Sequence, residues 1–156
     1  MNPVLQLASR SELALLLNLV AAYRREDRES FDRQKCAAAL QCLIDSESLG
    51  RAWLIRDEAR PEAPPVGYLL LCFGFSLEFL GRDAFIDEFF IVAEQRGCGI
   101  GKAVLQQVRQ EAAALGVKAL HLEVAPGNTA AERAYLTAGF KSRRQYYLMS
   151  LRLDTV

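Results

Sequence analysis

The apolar positions of the chain repeat with two periods, one typical of helices and one typical of strands. Spacing of three and four residues predicts four amphipathic helices, over residues 9–24, 33–46, 100–115 and 129–139. Extended apolar runs predict strands within residues 4–7, 51–58, 66–80, 84–92 and 118–124, with two more inside 140–153. In chain order these elements read β-α-α-β-β-β-α-β-α-β-β.

The ends of these elements carry local signals. Two helices open with the spacing of a capping box, Ser9 with Glu12 and Thr129 with Glu132. Gly116 and Gly139 follow the last two helices, where glycine commonly ends a helix. Three prolines within residues 59–65 and a turn at Gly81 to Asp83 separate three consecutive strands. Short connections of this kind predict antiparallel hairpins.

Together these elements predict a single domain over residues 1–156 of the mixed α+β class. Hairpins along most of the chain favour a mostly antiparallel sheet of about seven strands, and the amphipathic helices require a sheet face on which to pack. We therefore expect a central mixed sheet with helices on both faces.

The composition removes several classes of function. Lys plus Arg and Asp plus Glu are 19 each, so no net charge favours nucleic acid or an anionic membrane as partner. The longest apolar run, residues 66–75, is too short to cross a bilayer as a helix. Four cysteines without a C-x-x-C pair, beside the single His121, predict no metal site and suit a reducing cytoplasm.

The loop "RGCGIG", residues 96–101, precedes the third helix and holds three glycines at alternate positions. It does not fit the dinucleotide fingerprint G-x-G-x-x-G, and it does not fit a P-loop, which would need Ser or Thr at Ala103. A helix N-terminus still presents unpaired N–H groups at the positive end of its dipole. Arg96 and Lys102 flank the loop and add positive charge, so the segment predicts a phosphate site.

Two segments identify a family resemblance. "RGCGIG" matches the Q/R-x-x-G-x-G/A signature of GNAT-type N-acetyltransferases, and "NTAAERAYLTAGF", residues 128–140, resembles the second signature of that superfamily. The resemblance runs from about Phe85 to the end of the chain, and the order of elements before it agrees. It implies acetyl-coenzyme A as cosubstrate and a sheet that splays between its fourth and fifth strands. One departure is Ala93, where many relatives have proline.

The resemblance also implies which residues bind the cosubstrate. The pyrophosphate would lie on the loop formed by Arg96, Gly97, Cys98, Gly99, Ile100, Gly101 and Lys102. The backbone of Phe90, Ile91 and Val92 would contact the pantetheine and acetyl groups. Asn128 would bind the pantetheine from the other side.

An alkyl ammonium must lose a proton before it can attack, because its pKa is about 10.4. The strand "FIDEFFI" offers Asp87 and Glu88 as the base. Strict alternation along a strand predicts that only one of them faces the acyl-transfer site. The segment resembles "EDFFV" of the diamine and spermidine acetyltransferases, which favours Asp87, and Glu88 remains the alternative. The other carboxylate is expected to pair with a nearby arginine.

Two further roles concern the thioester. A backbone N–H near Ile91 or Val92 is expected to stabilise charge on the carbonyl oxygen. Tyr135 is the candidate acid that protonates the leaving thiolate, with a core tyrosine as the alternative. His121 is expected to be structural, and Tyr146 and Tyr147 are candidates for the wall of the acceptor pocket.

The predicted function is transfer of acetyl from acetyl-coenzyme A to a primary amine of a small molecule, by direct attack in a ternary complex. An alternative within the enzyme class is acetylation of a protein N-terminus or lysine. An alternative of another class is a coenzyme A-binding sensor without chemistry, which the presence of Asp87, Glu88 and Tyr135 disfavours. A homodimer is compatible with either enzyme.

Overall fold

The computed structural model describes residues 2–153. Its strands are β1 Pro3–Leu7, β2 Gly50–Asp57, β3 Gly67–Ser76, β4 Gly81–Ile91 and β5 Ala119–Leu122. Its α-helices are α1 Leu13–Glu26, α2 Arg33–Asp45, α3 Ile100–Ala114 and α4 Thr129–Thr137. The order of these elements agrees with the sequence prediction through α4.

The five strands form one sheet in the order β1-β2-β3-β4-β5. The first four strands pair antiparallel with their neighbours, and β5 runs parallel to β4. The turn between β3 and β4 lies at 77–80 rather than at the predicted Gly81 to Asp83, because Ser76 already pairs with Gly81. The Leu80 N–H donates to the Leu77 carbonyl at 3.3 Å and closes this turn.

Helices cover both faces of the sheet, as the apolar patterns predict. One buried cluster lies between the sheet and α1 and α2, and includes Leu16, Leu54, Tyr68 and Phe90. The other lies between the sheet and α3, and has Ile55, Leu71, Ile86 and Val108 among its members. The two clusters take alternate residues of β2 and β3, which is the arrangement expected for a sheet buried on both sides.

The helix starts show one confirmed cap and one correction. The Ser9 N–H donates to the Glu12 carboxylate at 2.8 Å, in the predicted capping box. At α4 the cap is Asn128 instead of Thr129, since the Asn128 side chain accepts the Ala131 N–H at 3.2 Å. Asn128 stands at the N-cap, just before the first helical residue. Its side chain therefore satisfies an N–H of the first turn better than the predicted pair of Thr129 and Glu132.

The prediction of two strands within 140–153 is wrong for this structure. Over the described residues of that segment no strand is formed, and most side chains are exposed. The sheet therefore has five strands where about seven were expected. Alternating apolar residues favour an extended backbone, but a strand also needs a neighbouring edge with which to pair, and the segment does not lie on one.

No helix between residues 2 and 153 is long and apolar enough to cross a membrane.

Candidate active site

The glycine loop connects the end of β4 to the start of α3 in the conformation that the sequence suggests. Gly97 and Gly99 have φ values of 76° and 87°, in the left-handed region that glycine adopts at little cost. A side chain added at either position would meet no protein atom within 4 Å. The loop therefore presents its backbone to open space.

The first turn of α3 supplies backbone donors on this open side. Ala103 is the first residue whose N–H bonds back to the loop, to the Gly99 carbonyl at 3.2 Å. The N–H groups of Ile100, Gly101 and Lys102 precede it and have no carbonyl one turn earlier within the helix. Together with the helix dipole they form an anion site. The Ile100 side chain itself is buried in the core, so only its backbone is available to a ligand.

Arg96 is held by the protein. Its Nη1 and Nη2 bind the two carboxylate oxygens of Glu26 at 2.6 and 2.8 Å, and its Nε donates to the Ile91 carbonyl at 2.7 Å. Its guanidinium also lies over the Phe90 ring, 5.4 Å from the centroid. These contacts tie the start of the loop to the last residue of α1. Three of the five N–H donors of Arg96 thereby have protein partners, and its role as a pyrophosphate ligand stays a prediction.

Lys102 and Cys98 are both exposed at the loop. Within residues 2–153 the Lys102 ammonium makes no ion pair with a carboxylate, so its charge is available to a ligand. The Cys98 thiol donates to the Gln95 carbonyl at 3.0 Å. The cysteine therefore supports the loop locally.

β4 and β5 separate where the family resemblance expects a splay. Their pairing runs from Asp83 with Ala119 to Ile86 with Leu122, and β5 ends there. β4 continues to Ile91. The last five residues of β4 thus have β3 on one side and an open edge on the other.

The backbone N–H and C=O groups at the end of β4 point alternately to the β3 side and to the open edge. The Val92 N–H donates to the Val66 carbonyl at 2.9 Å and is therefore directed to the β3 side. In an antiparallel strand the N–H and C=O groups of successive residues point to opposite edges, so Ile91 directs its own groups to the open edge. Of the two predicted oxyanion donors, the Val92 N–H is already used within the sheet, and the Ile91 N–H is directed to the open edge.

A β-bulge interrupts β4 at Asp87. Leu70 pairs with Glu88 while Leu71 pairs with Ile86, which leaves Asp87 without a partner on β3. Ile86 belongs to the cluster under α3, but two residues later Glu88 contacts residues of the opposite face. Strict alternation therefore fails here, and the prediction that only one of the two carboxylates faces the acyl-transfer site, which rested on it, stays a prediction. Bulges of this kind commonly re-aim a side chain near an active site.

The two acidic residues have different surroundings. Glu88 is buried, and its carboxylate accepts hydrogen bonds from Arg24 on one oxygen and from the Tyr68 hydroxyl, at 2.7 Å, on the other. Burial raises the pKa of Glu88, although the bonds from Tyr68 and Arg24 act in the opposite direction. Asp87 is exposed, and its side chain has no hydrogen-bond or ion-pair partner in the part of the chain that the structure describes.

Tyr135 lies on α4, half-buried against the core cluster that also contacts Phe89 and Ile91. Its ring meets Phe140 edge to face at 6.0 Å between centroids. Burial raises its pKa, and its hydroxyl has no hydrogen-bond partner among residues 2–153. Tyr135 thus lies on the face of the sheet to which the Phe89 and Ile91 side chains of β4 also point. Its hydroxyl is protonated at neutral pH.

Several predicted site residues lie elsewhere or have other contacts. The Asn128 side-chain oxygen caps α4, which leaves its amide N–H groups for a ligand. His121 lies 3.5 Å from the Asp83 carboxylate and contacts the Phe79 ring, in agreement with a structural role. Tyr146 and Tyr147 are exposed and line a cleft beside β5 and α4, whose lining does not include Asp87. In the described structure, no group of His, Cys, Asp or Glu is arranged to hold a metal ion.

Three residues of the site were not identified from the sequence: Arg24, Glu26 and Tyr68. Arg24 binds Glu88 and also Glu29, and so joins α1 to β4. Arg24 and Glu88 lie 64 residues apart in the chain, and Glu26 and Arg96 lie 70 residues apart. No local motif marks such pairs, and only a known hairpin register would have placed Tyr68 beside Glu88.

Comparison with known proteins agrees with this geometry. The sequence model of the Acetyltransferase (GNAT) family matches residues 16–140. The chain therefore belongs to the GNAT acetyltransferase family, whose members use acetyl-coenzyme A as cosubstrate. The match includes both the glycine loop and the α4 signature.

Solved structures share the fold over nearly the whole chain. Integron Cassette Protein HFX_CASS3, from the mobile metagenome of Cole Harbour Salt Marsh, is 30% identical with a TM-score of 0.84, over 97% of this chain and 91% of that one. A probable acetyltransferase is 19% identical with a TM-score of 0.83, over 100% of both chains. Ribosomal-protein-alanine N-acetyltransferase from Brucella melitensis biovar Abortus 2308 is 15% identical with a TM-score of 0.71, over 96% and 99%. The last two likenesses concern the fold alone.

Proposed function

We propose that this protein is an N-acetyltransferase that moves acetyl from acetyl-coenzyme A to a primary amine of a small molecule, by direct attack in a ternary complex. The observation that carries the proposal is the position of Asp87, an exposed carboxylate on the open edge of β4, a few residues before the loop with free helix N–H groups. Cosubstrate and proton acceptor would then meet at the same strand.

The loop fits the cosubstrate by its shape and its donors. Gly97 and Gly99 leave space in which a side chain would otherwise stand, and the first turn of α3 supplies N–H groups for pyrophosphate oxygens. Lys102 adds a free positive charge. The open edge of β4, which β5 leaves uncovered after Ile86, would bind the pantetheine amides as a further strand binds a sheet edge. Bound acetyl-coenzyme A would supply the activated acyl group as a thioester.

We assign the role of base to Asp87. A base needs an oxygen that can reach the substrate ammonium, directly or through water, and Asp87 is accessible. Glu88 has a donor on each oxygen, and one of these donors is a guanidinium that favours the ionised carboxylate. The Arg24–Glu88–Tyr68 group then serves to fix the bulge that presents Asp87.

The remaining steps use Ile91 and Tyr135. The Ile91 N–H is the donor best oriented to stabilise negative charge on the thioester oxygen. The Tyr135 hydroxyl, which is protonated at neutral pH, would protonate the departing thiolate. The hydroxyl has no protein partner in the described structure and is not enclosed, so it is free to contact a ligand atom.

We propose a small amine as the acceptor, rather than a protein. The accessible carboxylate of Asp87 lies next to Glu88, which is buried and bound by Arg24, and this arrangement suits a cationic group that is held and deprotonated at one point. The test is a screen of primary amines and of N-terminal and lysine peptides with acetyl-coenzyme A, detecting the released thiol. Turnover with small amines, and little with peptides, is expected. Turnover with peptides alone would favour protein acetylation, and tight coenzyme A binding without turnover of any amine would indicate a sensor.

A further inference from the structure

Part of the sheet face that packs on α1 and α2 extends beyond these helices. On β3, Tyr68 and Leu70 are buried in the core beneath them. Cys72 and Gly74 follow at alternate positions and therefore lie on the same face. Cys72 is half-buried, and Gly74 is exposed. The core of this face thus ends at Leu70 on β3, and the sheet continues uncovered beyond it.

The neighbouring strands supply the rest of the uncovered area. Cys72 is paired with Phe85 and Gly74 with Asp83, and residues paired across a ladder share a face. On the other side of β4, His121 of β5 is paired with Phe85. Among the described residues, Cys72 and Phe85 belong to neither core cluster. We call these five residues the open patch: Cys72, Gly74, Asp83, Phe85 and His121.

The open patch adjoins the acidic part of β4 to which we assign the base. Burial raises the pKa of the Cys72 thiol, and the charges of Asp87 and Glu88 raise it further, so both carboxylates lie near this thiol. Asp87 follows Phe85 by two residues, which corresponds to about 7 Å along a strand. On the opposite side, Phe85 and His121 line the cleft beside β5 and α4. A ligand can therefore enter the patch from solvent and extend to Asp87.

The surface of the open patch is apolar and aromatic. Phe85 lies at its centre, and Cys72 and Gly74 beside it are small, so a flat group has room to lie against the Phe85 ring. The rings of His121 and Phe79 border the patch, with 5.2 Å between their centroids. Aromatic side chains of this kind bind another ring by offset stacking or by edge-to-face contact.

Asp83, the carboxylate at the far end of the patch, already has a partner within the protein. It lies 3.5 Å from Nε2 of His121, and its side chain is 19% exposed. Its Oδ1 occupies space that Gly74 leaves free, since a Cβ at Gly74 would stand 2.6 Å from it. Asp87, by contrast, has no partner in the described structure. A ligand with one cationic end thus fits the patch better than a ligand with a cation at both ends.

We propose that the open patch binds a ring of the acceptor, and that the acceptor is a primary amine joined to this ring by a short alkyl spacer. The inference rests on the proposed transfer to a small amine and names its substrate class. The ammonium would lie at Asp87 and the ring on Phe85. A spacer of about two or three carbon atoms suits the distance of about 7 Å along the strand between these residues. Phe85 is then the residue that determines specificity.

The test measures turnover of three primary amines with acetyl-coenzyme A by thiol release: phenethylamine, n-butylamine and putrescine. We expect kcat/KM for phenethylamine to be at least about tenfold above that for the other two, because burial of a phenyl ring contributes this much to affinity. Phe85→Leu should raise the KM for phenethylamine about tenfold. It should leave kcat/KM for butylamine and the Kd of coenzyme A within about twofold of the parent.

Phe73→Leu is the matched control. Phe73 is half-buried like Phe85 and lies on the neighbouring strand, but it packs on the opposite face of the sheet. This variant should keep the parental preference for phenethylamine. Cys72→Leu is a second test of the patch, because added bulk beside Phe85 should also raise the KM for phenethylamine with little change for butylamine.

Equal efficiency with the three amines would overturn the inference and leave the proposed transfer to a small amine intact. A preference for putrescine would overturn it in favour of a second cation site at Asp83. An equal loss with every amine in Phe85→Leu would overturn it too, since Phe85 then acts through the fold alone.

If no amine is turned over, the proposed function fails, and titration of phenethylamine into the complex with coenzyme A decides about the open patch. Binding that Phe85→Leu weakens and Phe73→Leu does not would support the patch as a site for a ring. Absence of binding would overturn it.

Discussion

Arg96 makes a two-pronged ion pair with Glu26, with both N–O distances below 2.9 Å, and so fastens the glycine loop to the end of α1. The residue that sequence alone assigns to the pyrophosphate is thereby a brace for the loop. Lys102, whose ammonium pairs with no carboxylate within residues 2–153, is the second cation of the loop. These two positive charges should respond differently to mutation.

Lys102→Ala should weaken coenzyme A binding about tenfold without lowering the melting temperature, because it removes one charge-assisted contact from an exposed side chain. The affinity should also depend less on salt. Arg96→Ala should lower the melting temperature, since Glu26 and the Ile91 carbonyl lose their donors. Calorimetric titration and thermal melts measure both effects. Equal loss of affinity in both variants, with parental stability, would show that Arg96 binds the ligand directly.

Gly99→Val should abolish coenzyme A binding, because the new side chain would fill the space above the loop. The positive φ of Gly99 means that the change also strains the backbone. Gly116 is a matched control at the other end of α3, with a φ of 77° and the same open surroundings. Gly116→Val should show a similar loss of melting temperature with parental affinity. If both variants bind coenzyme A as the parent does, the loop is only a connection.

Asp87→Asn should lower kcat/KM by about 10²- to 10⁴-fold at neutral pH, the range for loss of a general base. Its rate should continue to rise toward alkaline pH, where the free amine forms without help. Glu88→Gln should instead cost stability, about 1–3 kcal/mol, because Arg24 and Tyr68 lose a charged acceptor. Its turnover per folded molecule should stay within a few-fold of the parent. The opposite result in these two variants would make Glu88 the base.

Tyr135→Phe should bind acetyl-coenzyme A nearly as well as the parent and lose turnover by about 10²-fold or more, as expected for loss of a general acid. Stability should change little, since the hydroxyl has no partner in the described structure. Turnover measured with the acceptor amine, together with a thermal melt, checks both. Parental turnover in a stable variant would leave water as the proton source.

The Glu26–Arg96 pair predicts a response to acid. The hydrogen bond and charge of Arg96 lower the pKa of Glu26 in the folded protein. The stabilisation is therefore complete above the ordinary glutamate pKa of about 4.3 and is lost as the pH falls toward the lower folded value. Melting temperature measured from pH 6 to pH 3 should fall less steeply in Glu26→Gln than in the parent. Parallel curves for the two proteins would exclude this linkage.

Features of the fold that depend on neighbouring residues were predictable from the sequence. Helix spacing, the glycine loop and the Ser9 capping box each lie within a few residues, and the structure confirms them. The hairpins of β2, β3 and β4 were also predicted, since short turns leave few other arrangements.

Features that depend on distant contacts were not predictable. The Arg24–Glu88 pair joins residues 64 apart, and nothing near Arg24 distinguishes it from the other arginines of the charged segment that follows. The bulge at Asp87 depends on how β3 and β4 pair, and its sequence looks like regular alternation. The prediction of two C-terminal strands was wrong for a related reason. Residues 140–153 have the strand pattern, but a strand also requires a partner edge.

The bulge also determines which residues of β4 point into the core under α3. Before it, Ala84 and Ile86 point into the core under α3, and after it Phe89 and Ile91 do so. Substitution at Asp87 would change only the chemistry of one side chain. Deletion of this residue would make Ile86 and Glu88 neighbours in a regular ladder and leave the later side chains on their present faces, because these two residues already point to opposite sides. Residue 87 is thus a position of β4 that the pairing with β3 does not need, and the reaction proposed for it depends on the side chain that stands there.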